Sequence, residues 1–277
     1  MNPRQLLEHY GLDPKKSLGQ NFMHDPNTID KIVATAAVTS DETVVEIGPG
    51  TGELTEALSH VAKSVIAVEL DNRLIPLLEN RFKNTTNVYF HFEDILQTDV
   101  VSLVGGKAFS VVANVPYYIT SSILRHILEP KRKPRRVVMT MQYEVAQRIT
   151  SKPGDMSLLA VSVQYYGKPT IVGKLNPAVF WPRPEVDSAI VQIDPYTTPI
   201  VDVPSDHAFF AVAKAGFSQK RKQLRNSISA GLAIKSDLAD EVLRAAGLDP
   251  QRRAETLNLS EWAALSREAV AADVVRD

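Results

Sequence analysis

The chain has no cysteine, which excludes a disulfide framework and any thiolate metal site. Its six histidines form no H-E-x-x-H spacing, so a metal mechanism is not expected. No apolar run reaches the ~20 residues that a membrane span requires. The polar N-terminus, Met1 to Tyr10, lacks the apolar core of a signal peptide, so the cytoplasm is the expected compartment and no membrane partner is expected. Internal repeats and long low-complexity tracts are also missing. Net charge says little: the formal total is −1, but the charges are unevenly placed. Two basic clusters stand out, Lys131 to Arg136 and Lys220-Arg221-Lys222 with Arg225. Such runs usually mark a solvated face.

What is present is an ordinary globular composition, 44% hydrophobic and 23% charged, sufficient for a substantial core. At 277 residues, and with roughly 150 residues per domain as a prior, about two domains are expected. The first two-thirds alternates short apolar runs with helical patterns, as in a doubly wound α/β sheet. Strands are expected at 43–47, 64–70, 88–92, 109–115 and 136–142, with helices over 52–60 and 72–83 between them. Later strands are expected at 169–175 and 187–193. Residues 156–167 fit a helix or an alternating strand equally by pattern. Pro195 to Pro199 resembles a linker. Beyond it the periodicity is helical, and Ser205, Ser236 and Ser260 are placed as N-caps.

The segment from Glu46 to Gly52 follows a strand and opens a helix, so Gly48, Gly50 and Gly52 permit a tight turn and close approach of a ligand. Glu69 ends the next strand, where a carboxylate can accept both hydroxyls of a ribose. Asp94, just after the third strand, can accept a bond from an adenine amine or simply cap a turn. A dinucleotide is the competing ligand, but its G-x-G-x-x-G fingerprint is broken by Glu53. A carboxylate there repels a pyrophosphate. S-adenosylmethionine carries a sulfonium and no phosphate, and an acid-rich pocket of Glu46, Glu69 and Asp94 suits it better.

Asn114-Val115-Pro116-Tyr117 follows the fourth strand. An amide oxygen and a backbone carbonyl can accept the two N–H bonds of an adenine N6 amine, and a tyrosine ring can stack on the base. Two acceptors favour a tetrahedral nitrogen, localise its lone pair and stabilise the charge that develops on methyl transfer. Taken alone, the same four residues also suit a turn.

With the loop, Glu69, Asp94 and Asn114 to Tyr117 in this order, the chain resembles the ribosomal RNA adenine N6-dimethyltransferases, and among them the bacterial small-subunit enzymes. The resemblance extends over nearly the full length, through Ser17 to Asp25, Met141 to Arg148, Phe180 to Ala189, Phe217 to Ser227 and Arg253 to Leu257. It departs at Met23, Val115, Tyr118 and near Ser157-Leu158, where the family usually has Leu, Leu, Asn and a Tyr-Gly pair.

The resemblance implies a class I methyltransferase domain over residues 1–195, whose first 40 residues close over the cofactor, and a small helical domain over 196–277 that recognises RNA. It also implies that 156–167 is helical. It implies S-adenosylmethionine as cofactor, with Asn21, Met23, Gly48, Gly50, Glu69, Asp94 and Asn114 contacting it. Asn114 and the Val115 carbonyl are expected to hold the target amine, and Tyr117 to stack on the base. The expected substrate is a pair of adjacent adenosines near the 3′ end of small-subunit (16S) rRNA in the immature 30S subunit. A nucleic-acid substrate raises the standing of Lys220, Arg221, Lys222 and Arg225 as phosphate contacts, whereas 131–136 suits a solvated loop. The chain is expected to act as a monomer. Two other readings remain at this point: a large-subunit methyltransferase of the macrolide-resistance type, and a non-catalytic assembly or transcription factor.

Overall fold

The computed structural model describes residues 2–276. The chain divides into two compact units. One runs to Ala146 and resumes over Lys168–Pro195, and the other comprises Gln147–Gly167 and the chain from Tyr196 onward.

The first unit runs α1 (Pro3–His9), β1 (Phe22–Met23), α2 (Pro26–Ala36), β2 (Thr43–Ile47), α3 (Glu53–Ser59), β3 (Ser64–Glu69), α4 (Ile75–Phe82) and β4 (Val88–Phe92). It continues with α5 (Val100–Leu103), β5 (Phe109–Asn114), α6 (Thr120–Leu128), β6 (Val137–Gln142) and the start of α7 (Tyr143–Ile149). After α8 (Leu158–Tyr166) come β7 (Gly167–Leu175), β8 (Phe180–Trp181) and β9 (Ser188–Pro195). Seven strands form one sheet in the order β4-β3-β2-β5-β6-β9-β7, and β1 pairs with β8. The strands β2 to β6 are parallel, while β9 runs antiparallel to β6. The sheet is therefore mixed rather than wholly parallel.

All five residues of β2 are buried, as a central strand covered on both faces requires. On one face Ile29 and Ile32 of α2 and Leu54 and Leu58 of α3 pack on Val44, Val65, Val112 and Val138. A second cluster joins Leu7 of α1 and Phe22 to Leu74, Leu77, Leu78 and Phe82. Strand order reverses between β2 and β5, so a crevice opens at their carboxyl ends.

The second unit comprises α8, α9 (Asp206–Phe217), α10 (Leu224–Leu232), α11 (Ser236–Ala245) and α12 (Leu259–Ala271). The sequence reading put residues 147–167 in the first domain; their side chains instead serve the helices. Tyr165 stacks on Phe209 with ring centroids 4.4 Å apart, and the hydroxyls of Tyr165 and Tyr166 donate to Asp206 at 2.6 and 3.2 Å. The N–H groups of Gly154 and Met156 both reach the Glu255 carbonyl.

Ser205 caps α9 by accepting the Ala208 N–H. Two other expected caps are corrected. Ser236 is already the first residue of α11, and α12 starts ahead of Ser260 because Asn258 and Glu261 form a reciprocal capping box. Among the described residues no helix is long and apolar enough to cross a membrane.

In the helical unit α9 and α10 cross at Gly231, where an added Cβ would lie 2.5 Å from the Ala215 Cα. Because the obstruction is backbone, Gly231→Ala is expected to cost about 1–3 kcal/mol. Urea denaturation would show it as a lower midpoint; an unchanged midpoint would contradict the close crossing.

Candidate active site

At the carboxyl ends of β2 to β5 a cleft encloses about 990 Å³ of empty space, part of it open to solvent. Its lining includes Leu18 to Met23, Gly48, Gly50, Glu69, Asp94 and Asn114 to Tyr118. The catalytic residues and cofactor contacts implied by the resemblance thus meet in one cavity. The convergence follows from register: β2 and β5 pair with Ile47 opposite Ala113, so Gly48, just past β2, lies beside Asn114, the last residue of β5. A Cβ on Gly48 would sit 3.1 Å from the Asn114 carbonyl oxygen, and Gly48 has φ +75°. A Cβ on Gly50 would meet the Phe22 ring at 2.9 Å, again at positive φ. Glycine is required at both places by space and by backbone angle.

The acids divide into distinct roles. Glu69 is nearly buried, accepting the Gly50 N–H at 3.1 Å on one oxygen and the Asp71 N–H at 2.8 Å on the other. Each oxygen keeps a lone pair for a ligand. Burial raises its pKa, opposed by those N–H groups. Asp94 caps a turn, its Oδ1 accepting the Leu96 N–H, while Oδ2 has no partner among the described residues.

Two electrostatic expectations need correction. Glu46 is fully buried and does not line the cleft; burial, aided by the carboxylates of Glu69 and Glu53, pushes its carboxyl up to about 8. It is mostly protonated at neutral pH. Glu53 is held 3.0 Å from the Arg81 guanidinium, so its repulsion of a pyrophosphate is largely offset. Of the three acids expected in the pocket Glu69 and Asp94 remain, and Glu93 joins them in the lining. With the glycine loop, these groups still fit an adenosine-bearing cofactor without phosphates.

Asn114 is fixed from two sides. Its Nδ2 donates to the Asn21 carbonyl at 3.3 Å, and its Oδ1 accepts the Thr140 hydroxyl at 2.6 Å. A carbonyl can only accept, which sets the amide's orientation and leaves the second lone pair of Oδ1 unused. Among the described residues nothing donates to the Val115 carbonyl, and Pro116 brings no N–H of its own. The Tyr117 hydroxyl is 2.6 Å from that of buried Ser188 on β9, which anchors the ring. Thr140 and Ser188 went unnoticed in the sequence because each is one polar residue in a strand; only pairing of β6 with β5 and β9 brings them to the site.

Within the N-terminal segment, Asn21 turns its Nδ2 to the Gly19 carbonyl, and Met23 packs in the core beneath the cleft. In the helical unit Lys220, Arg221 and Lys222 lie exposed on the loop between α9 and α10, with no acidic partner among the described residues. Arg225 is 4.0 Å from Asp240. The other cluster is largely consumed internally: Arg135 pairs with Glu42 and Arg136 with Asp194.

A mixed seven-stranded sheet with a glycine loop and a buried strand-end acid at its switch point defines a class I S-adenosylmethionine-dependent methyltransferase. Residues 11–265 match the family described as ribosomal RNA adenine dimethylase, and the chain belongs to that family. Its members catalyse S-adenosylmethionine-dependent methylation of rRNA adenine. A protein of Dehalococcoides mccartyi named ribosomal RNA small subunit methyltransferase A is 44% identical, covering 96% of this chain and 91% of the relative. One of Bacillus mycoides with the same name is 40% identical over 96% of this chain and 95% of its own length. Among solved structures, a dimethyladenosine transferase from Plasmodium falciparum superposes with a TM-score of 0.79 at 25% identity, covering 91% of this chain and 98% of that one. The 23S rRNA methyltransferase ErmE gives 0.71 at 26%, covering 90% and 99%.

Glu46 makes stability depend on pH in a defined direction. Its pKa in the folded chain, about 8, exceeds the ordinary value of 4.5, so the unfolded chain loses the proton first. Its contribution to stability is fully present below the ordinary value and falls as pH rises towards the folded one. Glu46→Gln is expected to remove this decline. Urea denaturation at the two ends of that window checks it; an equally steep decline in the variant would contradict a neutral Glu46.

Proposed function

We propose that this chain dimethylates N6 of two adjacent adenosines in the 3′-terminal hairpin loop of small-subunit rRNA, acting as a cytoplasmic monomer on the immature 30S subunit. The observation carrying this reading is the Asn114 amide, held with an unused oxygen lone pair directly beside the glycine loop. Identity of 40% or more to two small-subunit relatives, against 26% to the 23S enzyme, favours the small subunit.

When bound, S-adenosylmethionine supplies an electrophilic methyl on a sulfonium. Gly48, Gly50, Glu69 and Asp94 would hold it, with Asn21, Met23 and Asn114 completing the enclosure. Asn114 Oδ1 and the Val115 carbonyl accept the two N–H bonds of the target amine. The amine is a weak nucleophile because its lone pair is delocalised into the ring; these acceptors favour a tetrahedral nitrogen and stabilise its growing charge. The proton can leave after attack, so no prior general base is required. Tyr117, anchored by Ser188, offers a stacking face that offsets part of the cost of splaying the base from its loop. Thr140 positions Asn114. Lys220, Arg221, Lys222 and Arg225 contact RNA phosphates from the helical unit, which serves RNA recognition.

Transfer from labelled cofactor to immature small subunits, compared with protein-free large-subunit RNA, tests the substrate; transfer to the latter alone would overturn the assignment. Asn114→Ala is expected to lower kcat by about 10²–10³-fold while RNA affinity is retained. Thr140→Val should lower kcat roughly tenfold at unchanged KM, and Thr140→Ser should restore it. Equal rates for the valine and serine forms would show that the hydroxyl does not position the amide.

Neutralising Lys220, Arg221 and Lys222 together is expected to weaken RNA binding and to flatten its log–log salt dependence by about two units, at ~0.7 per phosphate contact. An unchanged slope removes the cluster from the interface.

A further inference from the structure

Tyr118 has no part in the scheme above, yet it is the most exposed of the large hydrophobic side chains singled out by their accessibility, at 62%. Residues 117–119 form a 3-10 turn. With three residues per turn, neighbouring side chains diverge by about 120°. Tyr117 is turned inward, its hydroxyl on buried Ser188, and Tyr118 is left at the rim of the same cleft. Its Cδ1 and Cε1 lie 3.4 Å from where a Cβ on Gly19 would stand, so the backbone of the N-terminal segment backs the ring while most of its surface faces solvent. Neither folding nor the cofactor loop accounts for an aromatic presented in this way.

Resting on the proposed RNA-methylating function, we propose that Tyr118 is a second stacking platform, for the unpaired base next to the target adenosine. Splaying one base from a loop exposes a face of its neighbour. An aromatic adjoining the one that receives the target is placed to cover that face, and base–aromatic stacking accepts any base. In the adjacent-adenosine substrate that neighbour is the partner adenosine, so Tyr118 would hold one base of the pair while the other is methylated.

Kinetics on immature small subunits provide the test. Tyr118→Ala is expected to raise KM roughly five- to hundredfold, with kcat at saturation and cofactor affinity within about twofold of the parent, and Tyr118→Phe to restore KM. In a second measurement the parent protein binds a hairpin RNA carrying an abasic nucleotide on the 5′ or the 3′ side of the target. One of these should bind more weakly than the intact hairpin by a similar factor, and Tyr118→Ala should show no further loss on it. Equal losses in parent and variant overturn the stacking role. Altered cofactor affinity with unchanged KM overturns it in favour of a brace for the N-terminal segment. Failure of the parent itself to methylate small subunits sinks the function on which the inference rests; methylation without coupling sinks Tyr118 alone.

Discussion

Parallel pairing of β2 with β5 at the centre of the sheet is the constraint on which the site depends. It brings two segments from distant parts of the chain together at the sheet edge, so that the backbone of Gly48 abuts that of Asn114 with little room for a side chain between them. The cofactor loop and the acceptor loop thus share a wall. Any shift in this register would separate the glycine loop proposed to bind the methyl donor from the amide proposed to present the nucleophile, because side-chain direction alternates along each strand.

The remaining strands add precision to that wall. β6 supplies Thr140 to the Asn114 oxygen, β9 supplies Ser188 to the Tyr117 hydroxyl, and the N-terminal segment supplies the Asn21 carbonyl to the Asn114 amide nitrogen. Both groups read as acting on the base are therefore held by hydrogen bonds from elements other than their own. Preorganisation of this kind matters where catalysis consists of aligning acceptors with a developing charge. The antiparallel β9 is part of the same arrangement, since it delivers Ser188 to the carboxyl edge.

Charge in the cleft is more sparing than the number of acidic residues implies. Glu46 is neutralised by burial and Glu53 by Arg81. Glu69 and Asp94 remain, each already oriented by backbone N–H groups and each with acceptor capacity to spare. A cationic, phosphate-free cofactor suits this arrangement, in which Glu69 and Asp94 are directed acceptors and Glu93 also lines the cleft.

The residues proposed to do chemistry were legible because they sit in contiguous runs with a physical signature: glycines between strand and helix, an acid at a strand end, and an amide, a carbonyl and an aromatic at the end of a later strand. The five parallel strands were legible for the same reason, as short apolar runs set between helical patterns. Local information determined which groups the chain carries and that they gather at one sheet edge. Tertiary structure alone decided what each is allowed to do. Whether Glu46 keeps its charge depends on solvent exclusion by other elements, and whether Asn114 presents oxygen or nitrogen depends on Thr140 and Asn21. Residues 147–167 join the helical unit because Tyr165 and Tyr166 find Asp206 and Phe209 there. Hydrogen-bond partners and dielectric surroundings are set by residues tens of positions away, and no window along the chain contains them.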